Sequence, residues 1–312
     1  MPRNFLIDTD TASDDAVALL IANHAPGIHI EAITTVAGNV PIEKATQNAL
    51  YVQDLCAKSI PVYQGAAKPI LRPLETAQFF HGHDGLGDVG LPLSGRTPTA
   101  GNPIDAIIDA AKKHSGSLEL ITLGPLTNIA IALLKAPEIA GMIKHCFVMG
   151  GVGQGPGNMT TLAEFNFWVD PEAAKIVFES AIPITMIGWD IAWKYTHFNE
   201  KDAQSLRNIN TDHAHFAVDI QKASMDFVEK NGEERAFNLP DPIAVAIALD
   251  PEIITHSIHT NVAILCHDDD SRGMTVVDHI NLKPDAKKIE VVLEASREKF
   301  LKILEFSLGK TH

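Results

Sequence analysis

The segment Asp8-Thr9-Asp10-Thr11-Ala12-Ser13-Asp14-Asp15 puts four carboxylates in eight residues. Carboxylates packed this closely repel one another unless a cation is shared among them, and a divalent metal is the commonest such cation. The donors are all hard oxygens, which favours Ca²⁺ or Mg²⁺ over zinc or copper. Helix capping accounts for Asp14 and Asp15 at a first turn. It leaves Asp8 and Asp10 unexplained, so a metal centre is the stronger expectation.

The apolar run Phe5-Leu6-Ile7 precedes these acids, and Ala16-Val17-Ala18-Leu19-Leu20 follows them. This reads as strand, loop and helix, with the acids at the carboxyl end of a first strand. Further strands are predicted at Ile28–Thr35, Ile60–Tyr63, Leu118–Leu123, Cys146–Met149 and Ile184–Ile187, with helices at 41–58, 103–114 and 172–179 between them. The alternation predicts an α/β fold, a mostly parallel, Rossmann-like central sheet with helices on both faces. Two helices joined near Asn210 are expected over 200–230, an apolar helix at 243–249 just after Asp241, and strands at 261–265, 274–277 and 289–293 before a closing helix over 294–308. No composition shift or repeat divides the chain, so residues 1–312 are read as one domain.

Periodicity fails from Ala66 to Pro103, where Pro and Gly surround Phe79-Phe80-His81-Gly82-His83. A loop this long in a compact domain is usually functional, and a rim over a pocket is expected.

Composition narrows the partners. A formal net charge of -14 argues against nucleic acid and anionic membranes, which need clustered Lys and Arg. The three cysteines lie far apart and in no CxxC arrangement, so neither a disulfide framework nor a zinc site is expected. The first strand begins within a few residues of Met1, with no signal-like apolar segment before it, and no apolar run approaches membrane length. A cytoplasmic protein acting on a small molecule is the expectation.

In open parallel sheets ligands bind beyond the carboxyl ends of the strands. The acids, Asn39, the Leu123 carbonyl, the Gly150–Asn158 loop and Asp190 all belong at that edge by this assignment. No GxGxxG follows the first strand, and no GxxxxGK[ST] or GxSxG occurs. A carboxylate-bound metal points instead to hydrolysis by activated water or to phosphoryl chemistry.

DTDTASDD, TTVAGN at 34–39, GPLTNIA at 124–130, VMGG at 148–151, AEFN at 163–166, VDPEAA at 169–174 and Asp241-Pro242 together resemble the inosine-uridine preferring nucleoside hydrolases, in order and spacing, from residue 5 to about 280. The resemblance implies calcium-dependent hydrolysis of the N-glycosidic bond of ribonucleosides. It assigns Ca²⁺ to Asp10, Asp15, Asp241 and the main-chain carbonyl of Leu123. Asp10 would also activate a calcium-bound water, and Asp14, Asn39, Asn158, Glu164 and Asn166 would hold substrate, with Met149 lining the sugar pocket. The family also implies a homodimer or homotetramer.

Two departures stand out. Thr11-Ala12 replaces the Pro-Gly usual inside the acidic motif, and Pro240 stands where many members carry a His able to protonate the leaving base. Proline cannot donate a proton, so either His81 or His83 of the long loop does this work, with His81 the favoured candidate, or the base leaves by solvent protonation with aromatic support from Phe80 or Phe237. Two other readings are a nucleoside- or ribose-binding protein that has lost efficient catalysis, and a haloacid-dehalogenase-like phosphohydrolase. Ala12 disfavours the phosphohydrolase, whose motif wants Thr or Val there, and the intact acids disfavour a mere binder.

Overall fold

The computed structural model describes residues 2–267 and 270–310. In chain order its strands are β1 Arg3–Thr9, β2 Ile28–Thr35, β3 Val62–Gln64, β4 Leu118–Thr122, β5 Ile143–Met149, β6 Ile184–Ile187, β7 Phe198–Asn199, β8 Ala236–Phe237, β9 Ile254–Thr260, β10 Val262–Ile264, β11 Thr275–Val277 and β12 Ile289–Ala295. The helices are α1 Ser13–His24, α2 Ile42–Leu55, α3 Gln78–His81, α4 Pro103–Lys113, α5 Thr127–Lys135, α6 Phe165–Val169, α7 Pro171–Glu179, α8 Trp189–Tyr195, α9 Glu200–Arg207, α10 Asp212–Asp219, α11 Lys222–Lys230, α12 Pro240–Leu249 and α13 Arg297–Leu308.

One eight-stranded sheet in the order β3-β2-β1-β4-β5-β6-β12-β9 runs through the molecule, parallel except for β9 at its edge. The alternation in β1 splits its side chains between the two faces. Phe5 and Ile7 join one core with α1, α10, α12 and α13, while Leu6 joins the other with α4, α5 and α7. The expected α/β fold with helices on both faces is therefore observed.

The chain winds outward from β1 through β2 to β3, then returns to add β4, β5 and β6 on the other side. The order reverses between β1 and β4, leaving a crevice at their carboxyl ends. Asp10 follows β1 and Leu123 follows β4, so the acidic motif sits at that reversal.

Three expectations are corrected. The 200–230 segment makes three helices, because α10 ends at Ile220-Gln221 and α11 restarts, with the Gln221 amide donating to the Ser13 and Ala217 carbonyls. The region 254–260, for which no element is expected, is β9; its sequence ITHSIHT is mostly polar, with Ile254 and Ile258 its apolar residues, as suits an exposed edge strand. The last helix starts at Arg297, since 294–295 complete β12 and Ser296 caps the helix by accepting from Lys299 N–H.

At the end of the sheet remote from the acids, Glu31 accepts from Lys113 Nζ at 2.6 Å and pairs with His114 Nε2 at 2.9 Å and His29 Nε2 at 3.2 Å. Burial raises its pKa, but these three partners outweigh it and bring the carboxyl from 4.5 to about 2. A depressed folded-state pKa gives stability that is present above 4.5 and lost as pH falls toward 2. Glu31→Gln is expected to cost about 1 kcal/mol in urea unfolding at pH 7. That gap should close as the pH is lowered below 4.5; a gap independent of pH would show that the ion pairs contribute nothing.

Candidate active site

Two helix N-termini meet at the crevice. Asp14 and Asp15 lie in the first turn of α1, and Asp241 lies in the first turn of α12, which packs against α1. Pro240 occupies the start of α12, where a missing N–H costs nothing, and the helix dipoles favour the acids beside it. Oxygens of Asp14, Asp15 and Asp241 lie within 4.8 Å of one another, all buried. Asp15 and Asp241 are within hydrogen-bonding reach.

Asp15 is held in place by Thr9 Oγ1 at 2.5 Å and Ala12 N–H at 2.9 Å. Asp10, fully buried, accepts from Asn39 N–H at 2.6 Å through Oδ2, while its Oδ1 has no hydrogen-bond partner. The Asn39 amide also reaches Asp15 Oδ2 at 3.5 Å, so Asn39 orients two acids. A Cβ on Gly124 would come within 2.7 Å of Asp10 Oδ1, which puts the backbone following Leu123 against the Asp10 carboxylate.

The electrostatics are those of acids lacking a counter-charge. Burial, followed by the charges of Asp15 and Asp14, holds Asp10 well above the usual carboxylate range against the opposing Asn39 N–H. Asp241 is raised likewise by burial and by Asp15, Asp14 and Asp10. Burial lifts Asp14 to about 6; burial and then Asp14 lift Asp15 to about 6. Among the described residues, His81 Nδ1 lies 3.8 Å from Asp14 Oδ1, a contact that becomes an ion pair only when the imidazole is protonated. Buried carboxylates with unpartnered oxygens and an all-oxygen donor set fit a hard divalent cation. Asp10, Asp14, Asp15, Asp241 and the Leu123 carbonyl are the atoms able to hold it.

Asp8 is separated from this group. Its Oδ1 accepts from Thr34 Oγ1 at 2.5 Å and Asn128 Nδ2 at 2.8 Å, tying β1 to β2 and α5. The expectation that Asp8 shares the cation is corrected: the fold uses it as a clamp beneath the site. The loop departure Thr11-Ala12 is accommodated without proline or glycine: Ala12 is extended, and the Thr11 carbonyl accepts from Asn48 Nδ2 at 2.9 Å.

The substrate candidates divide into an inner set and a rim. Asn166 donates from Nδ2 to the carbonyls of Leu123 at 2.8 Å and Met149 at 3.2 Å, tying the β4 and β5 ends together. Glu164 caps α6, accepting from the N–H groups of Asn166 at 2.8 Å, Gly151 at 2.9 Å and Phe167 at 3.3 Å. Burial outweighs those donors and raises Glu164 to about 7. Asn158 is exposed and accepts from Phe165 N–H at 2.9 Å, which places it on the rim. Asp190 anchors the glycine-rich loop through Gly153 N–H at 2.7 Å.

His81 ends the one-turn helix α3 inside the long loop and turns Nδ1 to Ser13 Oγ at 3.0 Å. Burial lowers its pKa to about 4 against the opposing charge of Asp15. Phe80 packs edge-on against His81 and against Phe227 of α11, so the loop is tied down by aromatic contacts. Phe237, the alternative support for a leaving base, is 2% exposed and stacks on Phe198 at 5.3 Å. It is a core residue and is not available to a ligand. Ser13, Thr9 and Asn48 carry no sequence signal as supports, because each is an ordinary polar residue whose role depends on a partner that only the fold brings to it.

The close approach of Gly38 to Asp10 carries a prediction. A Cβ there would collide with Asp10 Oδ2, so Gly38→Ala must displace the carboxylate. A displacement near 1 Å costs on the order of 100-fold in rate. Unchanged kcat in a folded Gly38→Ala variant would show that Asp10 geometry is unimportant.

Fold and site together define a metal-dependent α/β hydrolase whose acid centre lies at the sheet's reversal point. The chain belongs to the inosine-uridine preferring nucleoside hydrolase family, whose profile matches residues 5–302. It is 35% identical over 303 residues to the inosine-uridine preferring nucleoside hydrolase of Crithidia fasciculata, covering 96% of this chain and 95% of that one. It is also 35% identical over 307 residues to the pyrimidine-specific ribonucleoside hydrolase RihA of Salmonella agona, covering 97% of each. The fold superposes on a plant nucleoside hydrolase with a TM-score of 0.94 and 28% identity, covering 100% of both chains. Membership makes the protein an N-glycosyl hydrolase acting on nucleosides and sets aside the phosphohydrolase reading.

Proposed function

We propose that this enzyme cleaves the N-glycosidic bond of ribonucleosides in a calcium-dependent reaction, releasing ribose and free base, with Asp10 as the general base. The observation that carries it is Asp10 itself: fully buried, with one oxygen fixed by the Asn39 N–H and the other without a partner beside three further acids. Asp10, Asp15, Asp241 and the Leu123 carbonyl would hold Ca²⁺; Asp14, which the geometry groups with Asp15 and Asp241, would hold ribose beside it. When bound, Ca²⁺ supplies a positive charge that orients sugar hydroxyls and acidifies the attacking water.

Asp10 then takes the proton of that water as it attacks the anomeric carbon, and the base departs from the opposite face. The transition state resembles an oxocarbenium ion, so the surrounding carboxylates stabilise the charge developing on the sugar. Asn39 orients Asp10, while Asn158, Glu164 and Asn166 contact the ribose, with Met149 along the sugar pocket.

With Pro240 unable to give a proton, His81 is proposed to contact the departing base and to donate to it when its imidazole is protonated, a state that burial disfavours and the charge of Asp15 favours. His81→Ala is expected to lower kcat about 100-fold and to alter the pH-rate profile. An unchanged profile for the best substrate excludes His81 as the acid.

A homodimeric or homotetrameric cytoplasmic enzyme completes this reading; light scattering and cell fractionation check those two points. The two relatives at 35% identity are described as inosine-uridine preferring and as pyrimidine-specific, so the base preference rests with the residues around the rim. The test is ribose release from inosine, adenosine, uridine and cytidine by the purified enzyme, after chelator dialysis and after calcium is returned. Calcium-dependent release supports the proposal. Binding of ribose and calcium without release of any base would make the protein a nucleoside sensor instead.

A further inference from the structure

The far end of α1 leads to a second group of metal-ligating side chains. His24 closes α1, Cys56 follows the last turn of α2, and His213 lies in the first turn of α10. A ring nitrogen of each histidine and the Cys56 sulfur all lie within 4.8 Å of one another. The two imidazoles are 4.8 Å apart between centroids and inclined at 50°. Helix α1 is 12 residues long, so this group is roughly 16 Å from the acid centre at the other end of the helix.

The donor chemistry differs from that of the acid centre: among the described residues the group is two imidazoles and a thiol, with no carboxylate. Borderline-soft ions such as Zn²⁺ take this set, while Ca²⁺ and Mg²⁺ do not. The tautomers are set by backbone carbonyls. His24 Nδ1 sits 2.9 Å from Leu20 O and His213 Nε2 sits 3.1 Å from Leu55 O. A carbonyl can only accept, so each of those nitrogens carries the proton. The lone pair is then on Nε2 of His24 and on Nδ1 of His213. A ring N–H donated to a carbonyl is the usual outer support of a metal-bound histidine.

A second observation points to an occupant. Gln53 is 3% exposed and its side-chain amide has no hydrogen-bond partner, while Asn23, 7% exposed, has its amide against Cys56. Asn23 adjoins His24 and its amide faces the Cys56 sulfur; Gln53 is one helical turn before Cys56 and shares its face. A buried amide left unpartnered one turn before Cys56 leaves hydrogen-bonding capacity for an additional polar species. His24 is only partly buried, so the group borders solvent on that side.

We propose that His24, Cys56 and His213 form a second metal centre, distinct from the acid centre, that takes a single zinc-class divalent ion and pins α1, α2 and α10 together. Coordination replaces the thiol proton with the metal, forming the sulfur–metal bond and releasing that proton to solvent. In tetrahedral sites, Zn–S near 2.3 Å and Zn–N near 2.0 Å bring ligand atoms to roughly 3.5 Å of one another. Closing in from 4.8 Å needs only side-chain rotation at the helix ends.

The test uses the full-length, calcium-saturated enzyme, so that the acid centre is already filled. One equivalent of Zn²⁺ is added, the protein is desalted, and bound zinc is measured by mass spectrometry. Co²⁺ is the spectroscopic probe, because only a thiolate ligand gives its sulfur-to-cobalt charge-transfer band. The wild type should retain about one zinc per chain, and Cys56→Ala and His24→Ala should each weaken binding at least tenfold. The cobalt band should vanish in Cys56→Ala. His24→Ala changes a half-exposed helix end and carries the test if Cys56→Ala does not fold. Failure of the wild type to retain zinc overturns the proposal. So does equal retention in both variants, which would place the ion elsewhere.

Discussion

Asp10→Asn is expected to leave a folded protein whose kcat for ribose release is lower by at least about 1000-fold, because it removes the group that takes the water's proton. The asparagine keeps the shape of the side chain and an oxygen for the Asn39 N–H, so orientation survives while basicity is lost. It also deletes one charge from a cluster in which Asp15 and Asp14 raise Asp10, and all three raise Asp241. The metal-free variant should therefore melt above the metal-free wild type, since an uncompensated buried carboxylate is costly. The two readouts separate the roles. Reduced kcat with calcium affinity retained identifies a base; reduced calcium affinity with kcat recovered at high calcium identifies a ligand only. If kcat stays within tenfold of wild type at saturating calcium, Asp10 is not the base.

Much of this centre was legible in the sequence because its parts are local. Asp10, Asp14 and Asp15 share a single strand-loop-helix turn, and parallel-sheet topology places Leu123 and Asn39 at neighbouring strand ends. The fold class followed from the spacing of buried runs such as Ile184–Ile187, whose apolar residues the structure buries completely.

What the sequence could not supply was the third dimension within a motif. Asp8 and Asp10 are two residues apart, yet a threonine from β2 and an asparagine from α5 draw Asp8 away from the metal group. Phe237 looked like a ligand-facing aromatic until Phe198, 39 positions earlier, was found stacked on it. The break between α10 and α11 was hidden for the same reason: Gln221 leaves the helical pattern to bond Ser13 across the molecule. The His24–Cys56–His213 group is scattered over three helices and has no spacing signature.

Removing the cation should affect stability as strongly as rate, because the same acids that position it are left facing one another. An enzyme dialysed against a calcium chelator is expected to release no ribose above background. Its melting temperature should fall on the order of 5 °C relative to calcium at about 100 times Kd, where binding stabilises by roughly 2.7 kcal/mol. Calcium should restore both readouts; magnesium at equal concentration should restore less, since it demands a tighter, near-octahedral shell than buried carboxylates on two helices and a backbone carbonyl can close. Asp241→Asn separates the cause from a general effect of chelator. It lies on α12, opposite the acids of α1, and removing its charge should abolish the calcium-dependent rise in melting temperature while leaving the metal-free protein at least as stable as wild type. Full activity in excess chelator would remove calcium from the mechanism. A calcium response that survives Asp241→Asn would instead place the ion with Asp10, Asp14 and Asp15 on the α1 side alone.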